Sequence, residues 1–392
     1  MSSPAIRYNP PVETIYLDNN ATTQPAPQVV AAMVAMLTEC YGNPSSVHRF
    51  GQRARAAIDE ARAQTAALIG CADAEFCFTG GGSEAINTVI RGLFSARKPR
   101  VKIVTTTVEH SATRELCRQL AKEGALVTEI GVDSLGRIDL EAWRNALDDQ
   151  TALATAMWAN NETGVLFPAA EMAAMCKARG VLFHCDATQA AGKIPVNVKT
   201  LGFDAMSLAA HKFHGPKGVG GFYLRRGLHL PALIIGGPQE RGRRGGTENS
   251  PGIVGMGVAA KLAGDSMGQM ESVGQLRDRF EADILRLIPD TVVNGDKEHR
   301  LPNTTNIGFP HLEAEAILLL LSERGVCASA GAACASGSLE PSHVLKAMRI
   351  AEPIAHGAVR FSLSRFTTEA EIVQATEILP GVIARLRRVL PR

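Results

Sequence analysis

The chain predicts an α/β protein, a doubly wound sheet domain followed by a smaller α+β unit. Three observations carry that expectation. Between Glu75 and Tyr223 short β-rich runs alternate with helix-like runs. Several of the β-rich runs are near-continuously apolar, as parallel strands covered on both faces should be. After about Gly264 the texture changes to long charged helices with few strands between them. Alternating β and α runs build a sheet with helices on both sides.

The elements follow in order. An Ala-rich helix is expected over residues 52–69. Strands are expected at 75–79, 101–108, 152–159, 181–186, 203–209 and 220–224. Helices fill the gaps at 84–95, 111–122, 139–147 and 169–179. In the second unit a charged helix, 270–287, stops before Pro289. Strand 304–309 and helix 313–324 come next. The last helix opens on Thr368-x-x-Glu371, a reciprocal capping pattern, and carries Pro380 inside it.

Composition narrows the function. The 392 residues are 45% apolar and 20% charged, enough to bury large cores. A net charge of +2 gives no support for nucleic acid or a membrane as partner. The eight cysteines form no C-x-x-C pair, so zinc-ribbon and thioredoxin-type motifs are absent. A long, cysteine-poor chain reads as cytoplasmic with free thiols. Residues 1–11 lack the apolar core of a signal peptide, and no apolar run approaches a membrane span.

In open α/β sheets ligands bind beyond the C-terminal strand ends, so the residues there carry the chemistry. Strand 75–79 leads into Gly80-Gly81-Gly82-Ser83-Glu84, where glycines let backbone N–H groups approach a phosphate. The same loop fits the Gly-x-Gly-x-x-Ala dinucleotide pattern through Ala85, so it discriminates weakly alone. The next strand ends in Glu109-His110-Ser111, and 152–159 ends in Asn160-Asn161-Glu162. Strand 181–186 ends in Asp186-Ala187-Thr188-Gln189, and 203–209 in Ala210-His211-Lys212. Lys212 has little charge around it. Desolvation should lower its pKa toward a neutral amine able to attack an aldehyde.

Together these residues make a pyridoxal phosphate set. The lysine forms the Schiff base, the carboxylate pairs with the pyridinium nitrogen, an amide meets the ring hydroxyl and a histidine covers the ring. Singly each has a plain structural reading. Lys212 could be a surface lysine before a turn, His110 a core histidine, Asp186 an N-cap and Asn161 a turn residue. Their placement at successive strand ends argues for the site. His211-x-x-His214 and His184-Cys185-Asp186 match no closed metal set, so no intrinsic metal is expected. Gly192-Lys193 lacks the rest of a P-loop. Arg241, Arg243 and Arg244 form a basic loop suited to an anionic ligand or a second subunit.

Residues 325–338 are almost all Ala, Ser and Gly around Cys327 and Cys334. Such a stretch reads as a mobile loop carrying an accessible thiol. The thiolate form, though a few per cent at neutral pH, is strongly nucleophilic. Cys327, directly after a helix, suits a buried role better than Cys334 does.

The motifs Tyr16-Leu17-Asp18-Asn19-Asn20-Ala21-Thr22-Thr23, Tyr41-Gly42-Asn43-Pro44-Ser45-Ser46, Val108-Glu109-His110, Asn160-Asn161-Glu162-Thr163-Gly164 and His211-Lys212 resemble the cysteine desulfurases. These are class V aminotransferase-type enzymes of pyridoxal phosphate fold type I. The resemblance runs from about residue 14 to about 390. Glu240-Arg241-Gly242-Arg243-Arg244-Gly245-Gly246-Thr247-Glu248-Asn249 and Ser336-Gly337-Ser338-Leu339-Glu340-Pro341-Ser342-His343-Val344 are most similar to the nitrogen-fixation branch, NifS.

The resemblance implies a mostly parallel seven-stranded sheet in a large domain, 15–262. A small domain, 1–14 with 263–392, would carry the cysteine loop at about 326–340. It implies that Lys212 holds the cofactor and moves the Cα proton, and that His110 stacks on the ring. Asp186 would meet the ring nitrogen and Gln189 the ring oxygen. Gly82, Ser83 and His211 would bind phosphate, beside Ala209 and Ala210. Thr247 would reach the phosphate of a neighbouring subunit in a homodimer. Asn161, also at the cofactor, and Arg360 would hold the substrate carboxylate. Cys334 would accept sulfur and is the one candidate for a transient iron–sulfur ligand. Two departures from the pattern stand out. Ala209 stands where the family often has a hydroxyl, and the usual Ser-x-Ser-Ala-Cys-Thr run reads Ser329-Ala330-Gly331-Ala332-Ala333-Cys334-Ala335, which keeps the cysteine without its hydroxyl neighbours.

The resulting expectation is conversion of L-cysteine to L-alanine, with sulfur held on Cys334 and passed to an iron–sulfur scaffold, in the nitrogenase setting. Selenocysteine lyase activity at the same site is one alternative. A nicotinamide-dependent dehydrogenase, from the glycine loop, is another. A non-enzymatic sulfur or metal carrier is a third.

Overall fold

The computed structural model describes residues 14–330 and 340–389. The strands are β1 (Ile15–Tyr16), β2 (Phe76–Thr79), β3 (Lys102–Thr106), β4 (Leu126–Ile130), β5 (Thr151–Met157), β6 (Leu182–Asp186), β7 (Ala205–Ala209) and β8 (Gly220–Leu224). After them come β9 (Val292–Val293), β10 (Thr304–Gly308), β11 (Val326–Cys327) and β12 (Ala358–Ser362).

Seven strands form the main sheet in the order β2-β8-β7-β6-β5-β3-β4. The block β7-β6-β5-β3-β4 is parallel. Strand β8 is antiparallel to both its neighbours, β7 and β2. Two reversals restore the direction, so β2 ends at the same sheet edge as β3, β5, β6 and β7. Thr79 and Ala209 both lie opposite Gly220 there.

Why these runs form buried strands is visible in their neighbours. Ile103, Leu153 and Phe222 enter one core with Ile86, Val89 and Ile90 of helix Gly82–Ala96. The adjacent Val104, Ala154 and Tyr223 enter the opposite core with Ile58, Met172 and Met256. Successive side chains point to opposite faces, and both faces are covered, so the strands read as unbroken apolar runs.

Several elements were not expected, among them helix Pro27–Thr38, β12, β4 and helix Ser250–Asp265. β4 lies at the sheet edge with Leu126 half exposed and only Ile130 buried, so it lacks an apolar run. Helix Ser250–Asp265 is rich in Gly and Ala and lacks a strong amphipathic pattern. Close packing explains that composition. A Cβ on Gly257 would lie 2.4 Å from the Ala61 Cα in helix Arg49–Ile69.

The C-terminal half builds a separate antiparallel sheet, β12-β10-β9. Its core joins Phe280 and Ile284 of helix Gln269–Leu287, Ile317, Phe361, and Leu379 of helix Glu369–Val389. Thr368 and Glu371 make the reciprocal cap, at 2.6 and 3.2 Å. Packing crosses the expected domain limits at two places. Ile15 and Leu17 are buried in this second core, because β1 pairs with β11. Val344, Leu345 and Met348 are buried in the first.

Candidate active site

A cavity of about 430 Å³ opens at the C-terminal edge of the parallel strands. Residues from β2, β3, β5, β6 and β7 ends meet there, as the sequence predicted.

At the β2 end, helix Gly82–Ala96 starts without a side-chain cap, and Gly82 and Ser83 face the cavity. Its first-turn N–H groups and positive dipole end are therefore suited to an anion. The approach is close on that side. A Cβ on Gly82 would lie 3.3 Å from the Ala209 Cβ and 3.6 Å from the Thr188 Oγ1. Ala209 itself lines the cavity, whereas Ala210 is buried behind it. The glycine loop does not have dinucleotide-fold geometry. It follows an edge strand whose partner, β8, is antiparallel, whereas that fold needs a strand inside a parallel sheet.

His110 caps helix Ser111–Lys122, its Nδ1 accepting from the Ala112 N–H at 3.1 Å. An acceptor Nδ1 leaves the proton on Nε2. Burial favours the neutral ring and lowers its pKa, with Asp186 opposing the shift and Lys212 adding to it. Asp186 is buried at the β6 end, and its Oδ1 accepts from the Thr188 N–H at 3.0 Å. His211 lies on the cavity wall, its Nδ1 3.2 Å from the Thr22 Oγ1. Burial, then the neighbouring lysines Lys212, Lys217 and Lys193, brings it down to about 4.

Lys212 ends the single turn Ala210–Lys212 that follows β7. Its Nζ donates to the carbonyls of Asn20 at 2.7 Å and Ala21 at 2.9 Å. The N-terminal segment Asp18–Thr23 thus lies directly against the lysine. Gln189 is buried beside it, with Nε2 donating to the same Asn20 carbonyl at 2.9 Å.

Arg360 comes from β12 and is fully buried. Its guanidinium donates to the Asp18 Oδ1 at 2.7 Å and to the Asn161 carbonyl at 2.9 Å. Asn161 also lines the cavity, so Arg360 and Asn161 stand together. Thr247 is exposed and lines a different cleft, with Thr79, Gly80 and Arg244. Cys334 lies outside the described residues.

The basic loop folds back on its own chain. Arg244 pairs with Glu84 at 3.0 Å, while Arg243 and Arg241 donate to the carbonyls of Ala74 and Asp73. The His184-Cys185-Asp186 set is not arranged for a metal. Both ring nitrogens of His184 are taken by Thr155 and Ser207, at 2.8 and 2.9 Å.

Several cavity residues escaped sequence reasoning. Thr188 Oγ1 is buried with no partner among the described residues. Arg114, Glu162 and His343 also face the cavity. Glu162 is bound by Ser342, the cap of helix His343–Ala347, and burial raises its pKa. Burial, then Arg114, lowers His343 to about 4. Thr188 and Glu162 lie in strand-end runs and His343 in the NifS-like run, yet sequence reasoning gives none of them a role; Arg114 lies in no such run.

The site fits pyridoxal phosphate. An uncapped helix start and an unpartnered Thr188 hydroxyl await an anion on one side of the cavity. A carboxylate, an amide and a lysine amine border the rest. That donor set suits a phosphorylated pyridine aldehyde.

Comparison with known proteins agrees. The class-V aminotransferase family profile matches residues 15–374. Cysteine desulfurase 2 of Trichormus variabilis is 50% identical over 380 residues, covering 97% of this chain and 96% of that one. Cysteine desulfurase NifS of Azotobacter vinelandii is 49% identical over 379 residues, covering 96% and 94%. A solved NifS-like protein superposes with a TM-score of 0.90 at 35% identity, covering 95% of this chain and all of the other. The structure of SspA in complex with cysteine superposes at 0.80 with 32% identity, covering 90% and 99%. The chain belongs to the class-V aminotransferase family, among the relatives of the NifS-type cysteine desulfurases.

Proposed function

We propose that the protein is a pyridoxal phosphate-dependent cysteine desulfurase that releases L-alanine and holds the sulfur as a persulfide on Cys334. The observation that carries this is the single cavity faced by Lys212, Asp186, His110, Gln189 and Arg360. Relatives about half identical over nearly the whole chain bear the cysteine desulfurase name.

Bound pyridoxal phosphate supplies an aldehyde that condenses with amines and a ring that accepts the electron pair left at Cα. Lys212 would hold that aldehyde and, as a free amine, would move the proton at Cα. Asp186 pairs with the ring nitrogen and keeps it protonated. His110 covers the ring, and Gln189 donates to the ring oxygen. Gly82, Ser83 and His211 hold the phosphate, with Ala209 and Ala210 beneath. Arg360 and Asn161 hold the substrate carboxylate, and Asp18 orients the guanidinium. The Cys334 thiolate attacks the substrate sulfur. The S–S bond forms as the C–S bond breaks, and the electron pair leaves with carbon, which is protonated to give alanine. The two-unit organisation, with the cysteine segment on the C-terminal unit, belongs to this reading.

The acceptor is an iron–sulfur scaffold, in the nitrogenase setting that the NifS likeness favours. A homodimer is supported by the exposed Thr247 and by an apolar strip. Leu37, Tyr41 and Val47 are 62%, 69% and 90% exposed on and after helix Pro27–Thr38. Among the described residues no helix is long and apolar enough to cross a membrane, compatible with cytoplasmic work.

The test is sulfide and alanine release from L-cysteine with a thiol reductant, wild type beside Cys334→Ala. Equal amounts of both products, lost in the variant, support the reading. Products undiminished in Cys334→Ala would remove the persulfide step.

A further inference from the structure

Lys193 is the most deeply buried lysine near the site, 6% exposed, yet it does not touch the main cavity. Its Nζ donates to the Gln189 Oε1 at 2.6 Å and to the Asn20 Oδ1 at 2.8 Å. Burial first, then the charges of Lys212 and Arg360, pushes its ammonium well below the usual lysine range.

The Gln189 amide is fixed from both ends. The Asn20 backbone carbonyl can only accept, so the Nε2 must face it, at 2.9 Å. The Lys193 amine donates to the oxygen, so Oε1 is turned away from the cavity. What remains for the cavity is the second N–H of Gln189. Without Lys193 the amide would lose the contact that holds its oxygen back. A buried oxygen without a donor is costly, so the side chain would turn to find another.

Asn20 ties this pair to the lysine of the site. Its carbonyl accepts from both Gln189 and Lys212, while its side chain accepts from Lys193 and Asn303 at 2.8 and 3.1 Å. Its own Nδ2 donates to the Thr304 Oγ1 at 2.9 Å and the Asn161 carbonyl at 3.2 Å. Lys193 and Lys212 also border one small cavity of about 20 Å³.

We propose that Lys193 is a positioning residue of the cofactor site. It pins Gln189 so that only an N–H donor, never the amide oxygen, faces the cofactor's ring oxygen. This rests on the assignment of pyridoxal phosphate to the cavity. The consequence is specific. A donor at the ring oxygen favours its anionic form, and therefore the proton on the neighbouring nitrogen carried by Lys212. An acceptor there favours the opposite arrangement.

The experiment measures pyridoxal phosphate affinity by fluorescence titration of the apoenzyme, and the visible spectrum of the loaded protein. It compares wild type, Lys193→Met and Lys193→Gln, each also in a Gln189→Leu background. Lys193→Met should weaken cofactor binding about tenfold, as loss of one well-placed hydrogen bond implies, and shift the visible band. Lys193→Gln keeps an N–H donor and should restore part of both. In the Gln189→Leu background neither change should matter further. Equal losses in both backgrounds, or an unchanged spectrum in Lys193→Met, overturn the proposal. If Lys193→Met does not fold, Lys193→Ala, which also lacks a donor, carries the same test. A loss only with Gln189 present supports the proposal, and no loss or equal losses overturn it. Failure of the wild type to take up the cofactor instead overturns the assignment of the cavity.

Discussion

Replacing Arg360 by Met tests the substrate clamp. The guanidinium is fully buried and pre-set by two contacts, Asp18 at 2.7 Å and the Asn161 carbonyl at 2.9 Å. The guanidinium borders the cavity and is held in place by both contacts. Hydrogen bonds to charged groups contribute about 1.5–3 kcal/mol each. Two to a substrate carboxylate, taken at the lower half of that range, give about 3–4 kcal/mol. At about 1.4 kcal/mol per tenfold, kcat/KM for L-cysteine should fall about two to three orders of magnitude. Most of it should come from KM, because the carboxylate is bound before and during reaction. Arg360→Lys keeps the charge but not the fork, and should lose less. The assay is initial-rate alanine formation across L-cysteine concentrations. Asp18 keeps some solvent contact, with its side chain 21% exposed, so the variant should fold, which a melting curve checks. A kcat/KM within about fivefold of wild type would refute the clamp.

Thr188→Val removes a buried hydroxyl that has no partner among the described residues. If that hydroxyl serves the phosphate, cofactor affinity should fall about three- to tenfold while the apoprotein melts no lower. Unchanged affinity would make Thr188 a packing residue. Glu109 is fully buried, and burial raises its carboxyl to about 8 despite bonds from Met157 and Thr106. An acid whose folded pKa is raised contributes stability at low pH. That contribution is lost as pH rises from its unfolded value, about 4.3, through the folded value. Glu109→Gln should therefore gain on wild type between pH 5 and 9 in unfolding experiments; a constant difference would contradict the raised pKa. Glu240→Gln leaves the Arg62 guanidinium, held at 2.7 Å by both carboxylate oxygens, buried without a counter-charge. Denaturant unfolding should show a loss of about 3–5 kcal/mol, and a change below 1 kcal/mol would show the pair to be dispensable.

Much of the site could be read in the sequence because a parallel sheet delivers its chemistry at strand ends. His110, Asp186 and Lys212 follow apolar runs whose register needs no long-range information. The glycine loop was ambiguous for a clear reason. Its pattern fits two phosphate-binding folds, and only the antiparallel β2–β8 pairing separates them. Asn20, Gln189 and Lys193 form a network whose members lie up to 173 residues apart, and no local pattern encodes such contacts. β4 and helix Ser250–Asp265 escaped for opposite reasons. One is too exposed to show a period, the other too closely packed to hold large side chains. The thiol expected at Cys334 falls outside the described residues.

The central claim is that Lys212 holds pyridoxal phosphate in the cavity at the strand ends. Borohydride reduction of the cofactor-loaded protein, followed by peptide mass mapping, tests it most directly. The account predicts one phosphopyridoxyl group on the peptide carrying Lys212, and none after Lys212→Ala. Label on Lys193, or no stable label in the wild type, would contradict it.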